Sequence, residues 1–232
     1  MQATEKQNKN ESTKQTAKQN SQAFEPLDRQ LLPGAAVRSR KTARWVAKTG
    51  ILTAIAAVLM YLEMSLPLVP VFLKLDFSDV VVLTGAFSMG PLTGILIQLM
   101  KNLLHVPVTT TGAVGELANF LIGASFVGTA GLIYKYKKDR IGAFMAMAAG
   151  TLVMTVFASL LNYYVMLPFY IHVMEFPIEA IISMTRAAGN RLVTDLETLI
   201  YFVFVPFNLF KGLVISLIVA LVYKRISPLL HR

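Results

Sequence analysis

Long apolar segments alternate with short polar or basic segments along most of this chain. The apolar runs cover residues 45–66, 80–104, 114–134, 141–167 and 199–223. A helix of about 20 apolar residues is long enough to cross the hydrocarbon core of a bilayer. The chain is 55% hydrophobic and 15% charged, whereas a soluble domain carries about 25% charged residues. The pattern therefore predicts an all-α integral membrane protein.

The apolar run at 80–104 is interrupted by Gly90-Pro91, and the distribution of charge decides how many helices it contains. Basic side chains concentrate in three places: 38–48, 135–140 and 224–225. Such clusters mark the cytoplasmic side of a membrane protein. Two short helices in this run bring all three clusters to one side, whereas a single helix does not. We therefore expect six transmembrane helices, with the N- and C-termini in the cytoplasm.

The composition divides the chain into three regions. Residues 1–44 are polar and basic and contain too few large apolar side chains to form a core. We expect them to be a disordered cytoplasmic tail, followed by a six-helix domain at 45–226 and a short cytoplasmic tail at 227–232. The formal net charge of +9 then reports membrane topology and lipid contact, and it does not indicate a nucleic-acid partner.

Two polar residues lie deep inside the last apolar run. Asn208 and Lys211 are three positions apart, so they project from one face of a helix. Hydrocarbon offers no water to replace their hydrogen bonds, and an ionisable residue at such a depth indicates a functional site that faces a cavity. The alternative is a structural lysine paired with a carboxylate elsewhere, such as Asp76, Asp79 or Glu116. The residues by themselves leave both interpretations open.

Further polar residues are expected at the outer end of the same helical bundle. Asn162 lies roughly 30 Å from the cytoplasmic start of its helix, and Lys211 roughly 20 Å from the inner face, at 1.5 Å per residue. The loops at 74–79 and 107–115 belong to the external side in this topology. Apolar walls with a few placed polar groups are typical of a small-molecule site. We expect such a pocket, open to the outside.

The sequence gives little support for catalysis. It contains no cysteine, and its histidines, His105, His172 and His231, lack the spacing of metal ligands. Neither a phosphate-binding loop with its lysine nor a metalloprotease motif occurs. We therefore expect a protein that is not an enzyme and has no metal or cofactor. If it drives uptake with ATP, another chain must supply the ATPase.

Small residues recur on neighbouring turns of the first apolar run. The pairs are Gly50 with Ala54 and Thr53 with Ala57. Pairs with this spacing let a second helix approach closely. They indicate either packing within the bundle or docking of a separate membrane subunit.

Five short motifs together connect the chain to a known family. They are KLDFSD at 74–79, GPLTG at 90–94, KNLLH at 101–105, GAVGELANF at 112–120 and PFNLFK at 206–211. In this order they resemble the riboflavin-specific substrate-binding subunits, called S components, of energy-coupling factor (ECF) transporters. The resemblance covers roughly residues 45–225.

The resemblance implies a six-helix, multi-pass protein of a prokaryotic plasma membrane that binds riboflavin from outside with high affinity. Such a subunit delivers the vitamin inward together with a membrane coupling (T) subunit and two cytoplasmic ATPase subunits. Carried onto the matching positions, the substrate-binding residues are Leu75, Asp76, Thr111, Gly112, Asn162, Asn208 and Lys211. The coupling subunit would dock on the first helix, at Gly50, Thr53, Ala54 and Ala57. An S component for another vitamin or for FMN or FAD, and a non-transport membrane subunit with a structural Lys211 ion pair, remain alternatives.

Overall fold

The structure, a computed structural model, describes residues 33–67, 69–70, 73–109 and 111–231, with side chains between 41 and 222. Most of the expected N-terminal tail, residues 1–32, lies outside the described residues. The chain divides into two compact units, Met1–Val46 and Ala47–Arg232. The second unit contains all of the side chains discussed below.

The described residues are mostly helical. In chain order the α-helices are α1 (Pro33–Met60), α2 (Ser78–Met89), α3 (Pro91–His105), α4 (Val114–Tyr136), α5 (Arg140–Leu161), α6 (Leu167–His172), α7 (Ile178–Ala187), α8 (Leu196–Leu199) and α9 (Val205–His231). A 3₁₀ turn, Val106–Val108, follows α3. Two short strands, β1 (Met64–Ser65) and β2 (Lys74–Leu75), pair antiparallel between α1 and α2.

Four helical stretches are long and apolar enough to cross a membrane. They are Lys41–Met60, Val114–Tyr136, Arg140–His172 and Leu196–Val222. The structure thus confirms a mainly helical protein with several candidate spans. The helix that we expected to start near residue 45 begins at Pro33, and the last one continues to His231 through most of the expected C-terminal tail.

The apolar run at 80–104 forms two helices, α2 and α3, as its central glycine–proline pair predicts. Gly90 lies between them with a φ of 102°, a backbone conformation that residues with a side chain rarely adopt. Pro91 follows as the first residue of α3, where its missing N–H costs no hydrogen bond. The interruption is therefore a property of these two residues.

Two π-helical turns, Asn162–Met166 and Ile200–Phe204, interrupt the long helices near the end of α5 and before α9. A proline follows each turn by two residues, and its missing N–H leaves the carbonyl oxygen four residues earlier without a helical donor. For Pro206 that oxygen belongs to Phe202, and the side chain of Asn190 donates to it at 3.2 Å. Widened turns are a usual way of accommodating such a break.

Glycines allow the central helices to pack closely. A β-carbon at Gly94 of α3 would lie 2.5 Å from a methyl group of Val127 on α4 and 2.6 Å from the β-carbon of Ala86 on α2. At Gly150 of α5 it would lie 2.9 Å from the carbonyl oxygen of Phe126 on α4. The helices α2 to α5 therefore meet through positions where only glycine fits.

The close contact at Gly94 gives a first testable prediction. Gly94→Ala should destabilise the protein by about 1–3 kcal/mol, because the added methyl group overpacks the contact between α2, α3 and α4. Thermal unfolding of the purified protein in detergent measures the effect.

Gly50→Ala is the matched control, since a β-carbon there meets nothing within 4 Å. The control should unfold at the wild-type temperature or slightly above it, because alanine favours the helix over glycine. Equal unfolding temperatures for the two variants would contradict the packing argument.

Candidate functional site

A cavity of about 350 Å³ lies where α1, the β-hairpin, α3, α4, α6 and α9 come together. This volume falls within the range of about 300–1,000 Å³ that is typical of small-molecule sites. Apolar side chains form much of its wall: Met60, Leu73, Ile122, Met166, Leu167 and Phe207. Polar and aromatic groups complete it: Tyr61, Glu63, Lys74, Asp76, His105, Thr111, Glu116, Asn119, Asn162, Tyr170, Asn208 and Lys211.

The cavity brings together five of the seven residues that the sequence predicts for substrate binding. They come from four separate parts of the chain: Asp76, Thr111, Asn162, Asn208 and Lys211. The expected convergence of polar residues is therefore present in the structure.

The other two predicted residues are not among the described lining residues. Leu75 is buried beside the cavity, and its backbone belongs to the β-hairpin. Gly112 lies in the turn before α4 with a φ of 61°. Both positions adjoin lining residues in sequence: Leu75 lies between Lys74 and Asp76, and Gly112 follows Thr111.

A buried ion cluster adjoins the cavity, because two of its members, Asp76 and Lys211, line the cavity wall. The ammonium group of Lys101 donates to Asp76 at 2.8 Å, to Asp79 at 2.6 Å and to the hydroxyl of Ser78. The ammonium nitrogen of Lys211 lies 2.8 Å from the second oxygen of Asp79. The side chains of Lys101 and Asp79 are fully buried. Asp79 therefore bridges two lysines, one from α3 and one from α9.

Asp76 joins the loop after the β-hairpin to this cluster. Its carboxylate accepts hydrogen bonds from the backbone N–H of Ser78 at 2.7 Å and from the Ser78 hydroxyl at 2.6 Å, at the start of α2. Burial by itself would raise the pKa of Asp76, but the ammonium groups of Lys101 and Lys211 together outweigh that effect, and the pKa lies below its usual value. Asp76 is therefore ionised, and it anchors the loop to α3.

Local hydrogen bonds orient the two cavity asparagines. The amide of Asn162 donates to the carbonyl oxygen of Ala158 at 2.7 Å, and that of Asn208 donates to Phe204 at 2.8 Å. Each hydrogen bond involves a residue of a π-helical turn: Asn162 begins the first turn, and Phe204, the acceptor for Asn208, ends the second. Helix irregularities therefore accompany the amides that line the cavity.

A second polar cluster centres on Glu116, at the start of α4. One oxygen of its carboxylate lies 3.0 Å from the Nδ1 atom of His105, and the other accepts a hydrogen bond from Thr109 at 2.7 Å. The Thr109 hydroxyl also accepts from the backbone N–H groups of Thr111 and Ala113. These bonds tie the loop between α3 and α4 to the cavity wall.

Sequence reasoning missed Lys101, whose charged side chain is fully buried in the cluster. The sequence does contain an indication of its role. Lys101 lies within an apolar run just as Lys211 does, and burying a charge in hydrocarbon is costly for both. His105 and Glu116 were missed as a pair, because the loop between them hides their proximity. Among the described residues, no group of three or more histidine, aspartate or glutamate side chains could hold a metal ion.

The two small-residue pairs of α1 lie on different faces. Gly50 and Ala54 are exposed, whereas Thr53 and Ala57 are buried in the bundle. One pair is therefore available to a neighbouring helix, and the other packs internally.

The chain is similar in sequence to a known family and to several characterised proteins. Residues 44–223 match the family described as "ECF transporter, substrate-specific component". The chain is 40% identical over 181 residues to the riboflavin transporter RibU of Staphylococcus aureus (strain TCH60), covering 78% of this chain and 89% of the relative. It is 32% identical over 180 residues to the riboflavin transporter FmnP of Bacillus subtilis (strain 168), covering 76% and 88%.

A solved structure of the S component of a bacterial ECF transporter has the same fold. It superposes with a TM-score of 0.65 at 35% sequence identity, and the match covers 82% of this chain and 99% of the solved one.

The ion cluster gives a second prediction. Lys101→Met should destabilise the protein by about 3–5 kcal/mol, because it leaves two buried carboxylates with one lysine fewer. Thermal unfolding of the ligand-free protein in detergent measures this loss.

Lys74→Met is the matched control, since Lys74 forms an ion pair with Glu63 at a partly exposed position. It should cost less than about 1 kcal/mol. Similar losses for both variants would show that the buried cluster does not stabilise the fold more than a peripheral ion pair.

Proposed function

This chain belongs to the family of ECF transporter substrate-specific components, and we propose that its substrate is riboflavin. The observation that carries the proposal is its extensive similarity to two riboflavin transporters, together with a cavity of suitable size and chemistry. As a member of this family the chain is a substrate-binding subunit and not an enzyme, and ATP hydrolysis falls to partner subunits.

The lining of the cavity suits a flavin. The isoalloxazine ring is planar, with one apolar edge and one edge of carbonyl groups, ring nitrogens and an imide N–H. Asn208 can donate and accept hydrogen bonds, and Lys211 can donate to the ring acceptors. Aromatic side chains of the wall, such as Phe207 and Tyr170, can contact the ring faces. We assign the polar ring edge to Asn208 and Lys211.

The remaining predicted residues would serve the sugar-like ribityl chain or the opposite ring edge. Asn162, Asp76 and Thr111 line the same cavity and carry groups that can accept from hydroxyls. Leu75 and Gly112 would contribute backbone groups from the hairpin and from the turn before α4. These assignments are part of the proposal.

We further propose six membrane crossings, with both termini in the cytoplasm and the cavity open to the outside. This topology needs α2 and α3 to cross as two short helices in addition to the four long candidate spans. It is supported by the three basic clusters, which it brings to one side. The protein would then be a multi-pass protein of the prokaryotic plasma membrane.

The partners we propose are a membrane coupling subunit and two ATPase subunits. Of the two predicted pairs, Gly50 and Ala54 form the one that faces outward from the bundle, so they are the better candidates for contact with the coupling subunit. Thr53 and Ala57 would support that face from inside. Riboflavin is then the transported substrate, and no cofactor is needed.

One observation favours the alternative in which Lys211 is a structural lysine paired with a carboxylate. Its ammonium nitrogen lies 2.8 Å from Asp79, which is the arrangement expected of a structural ion pair. Binding to a ligand and pairing with Asp79 are compatible, because an ammonium group has three N–H donors. Ligand affinity separates the two readings.

Riboflavin titration is the direct test of the proposed function. Apoprotein in detergent should quench flavin fluorescence with one-to-one stoichiometry. Asn208→Ala and Lys211→Ala should each weaken binding by about 1–3 kcal/mol, because each leaves part of a buried polar edge unpaired. That loss corresponds to about a 5–150-fold rise in Kd.

The matched control is Lys137→Ala, at an exposed position outside the cavity. It should retain wild-type affinity. A folded wild-type protein without flavin binding would refute the substrate assignment, and competition with other vitamins, FMN and FAD would then identify the ligand. Unchanged affinity in both cavity variants would remove their side chains from the site.

The topology has a separate test, which the absence of native cysteine makes simple. Met174→Cys, in the exposed loop after α6, should react with a membrane-impermeant maleimide on intact cells. Lys137→Cys, between α4 and α5, should react only after the cells are opened. The reverse pattern would show that the cavity faces the cytoplasm.

A further inference from the structure

The two oxygens of Asp79 have different partners. One lies 2.6 Å from the ammonium group of Lys101, and the other lies 2.8 Å from that of Lys211. Lys101 has a second carboxylate, Asp76, at 2.8 Å. Within the described part of the chain, Asp79 is the carboxylate that forms an ion pair with Lys211; Asn119 is a weaker contact, at 3.5 Å. Asp76 by itself could therefore neutralise the charge of Lys101, without Asp79.

The carboxylates around the cavity all have basic side chains as partners among the described residues. Glu63 pairs with Lys74 at the hairpin, and Glu116 lies against His105 at the start of α4. In the buried cluster two lysines face two aspartates, so the formal charges sum to zero. A ligand that reaches Lys211 therefore meets an ammonium group whose charge already has a counterion.

We propose that Asp79 is a positioning residue for substrate binding. It holds Lys211 at the cavity wall and compensates its charge, so that the site selects the neutral flavin over the flavin anion. Lys211 then acts as a hydrogen-bond donor to an uncharged acceptor and not as an anion-binding charge. This inference rests on the proposed function, since it assumes that the cavity takes the isoalloxazine ring.

The ionisation of the bound ligand reports on this role. The imide N–H of a flavin loses its proton in alkaline solution, and the visible absorption band of the flavin changes when it does. Asp79→Asn removes the counterion of Lys211 and leaves a net positive charge beside the ring. The bound flavin should then lose its proton at a pH about 1–2 units below the value for flavin bound to the wild type. Riboflavin affinity at neutral pH should fall by about tenfold, because Lys211 loses the group that orients it.

Two further variants separate charge from structure. Lys211→Gln leaves Asp79 without this lysine, so the bound flavin should lose its proton at a higher pH than in the wild type. The double variant Asp79→Asn with Lys211→Gln restores the charge balance, and the ionisation of the flavin should return close to the wild-type pH. Affinity should nevertheless stay reduced, because the lysine donor is absent. A merely structural role for Asp79 predicts no such reversal.

The effect of residue 79 on flavin ionisation can still be measured if Asp79→Asn alone does not fold. Lys211→Gln and the double variant differ only at residue 79. In Lys211→Gln, Asp79 keeps the ammonium group of Lys101 as a counterion at 2.6 Å, and the double variant replaces both members of the buried pair, which is often tolerated. The other ionisable groups of the wall are the same in every variant, and tyrosine phenols absorb in the ultraviolet, away from the visible flavin band.

The outcomes distinguish this inference from the proposed function. A wild-type protein that binds no riboflavin refutes the function on which the inference rests. If the wild type binds riboflavin and its ionisation pH is the same in the wild type, in Lys211→Gln and in the double variant, riboflavin remains the substrate and Asp79 does not set the charge at the site. A downward shift in Asp79→Asn, or between Lys211→Gln and the double variant, supports the inference.

Discussion

The buried ion cluster is the constraint on which the rest of the site depends. Removing four charges from water is expensive, and only close pairing with hydrogen bonds to the remaining positions offsets the cost. The pairing requires Asp76, Asp79, Lys101 and Lys211 to meet within hydrogen-bonding distance. They come from a loop, from α2, from α3 and from α9. Any arrangement that separates one of these elements leaves a buried charge without its partner.

Close helix packing makes that meeting possible. Gly94 lets α3 lie against both α2 and α4, and Gly150 does the same for α5 against α4. Without these contacts the side chains of α3 would stand farther from α2, and Lys101 would not reach two aspartates. The break at Gly90 serves the same geometry, because it turns the chain back so that α3 can lie beside α2. Packing and electrostatics therefore select the same fold.

The sequence predicts the fold better than the details of the site. Apolar length identifies the long helices, and the glycine–proline pair identifies the break between α2 and α3. The convergence of Asn162, Asn208 and Lys211 on one cavity follows from their depth along helices of known rise. The partner of Lys211 could not be chosen among Asp76, Asp79 and Glu116, because side-chain pairing depends on helix rotation, which spacing alone does not give. The π-helical turns were missed, since a proline indicates a disturbed turn without specifying its form.

The asymmetry between the two lysines explains how one cluster can serve both stability and binding. Lys101 is fully buried, and three neighbours accept its hydrogen bonds, so its role is to hold the loop, α2 and α3 together. Lys211 has Asp79 as its ion-pair partner among the described residues, and it also lines the cavity. A group that is held on one side and accessible on the other can bind a ligand without reorganising the fold. Because Asp79 contacts both lysines, the fully buried part of the cluster positions the part that lines the cavity.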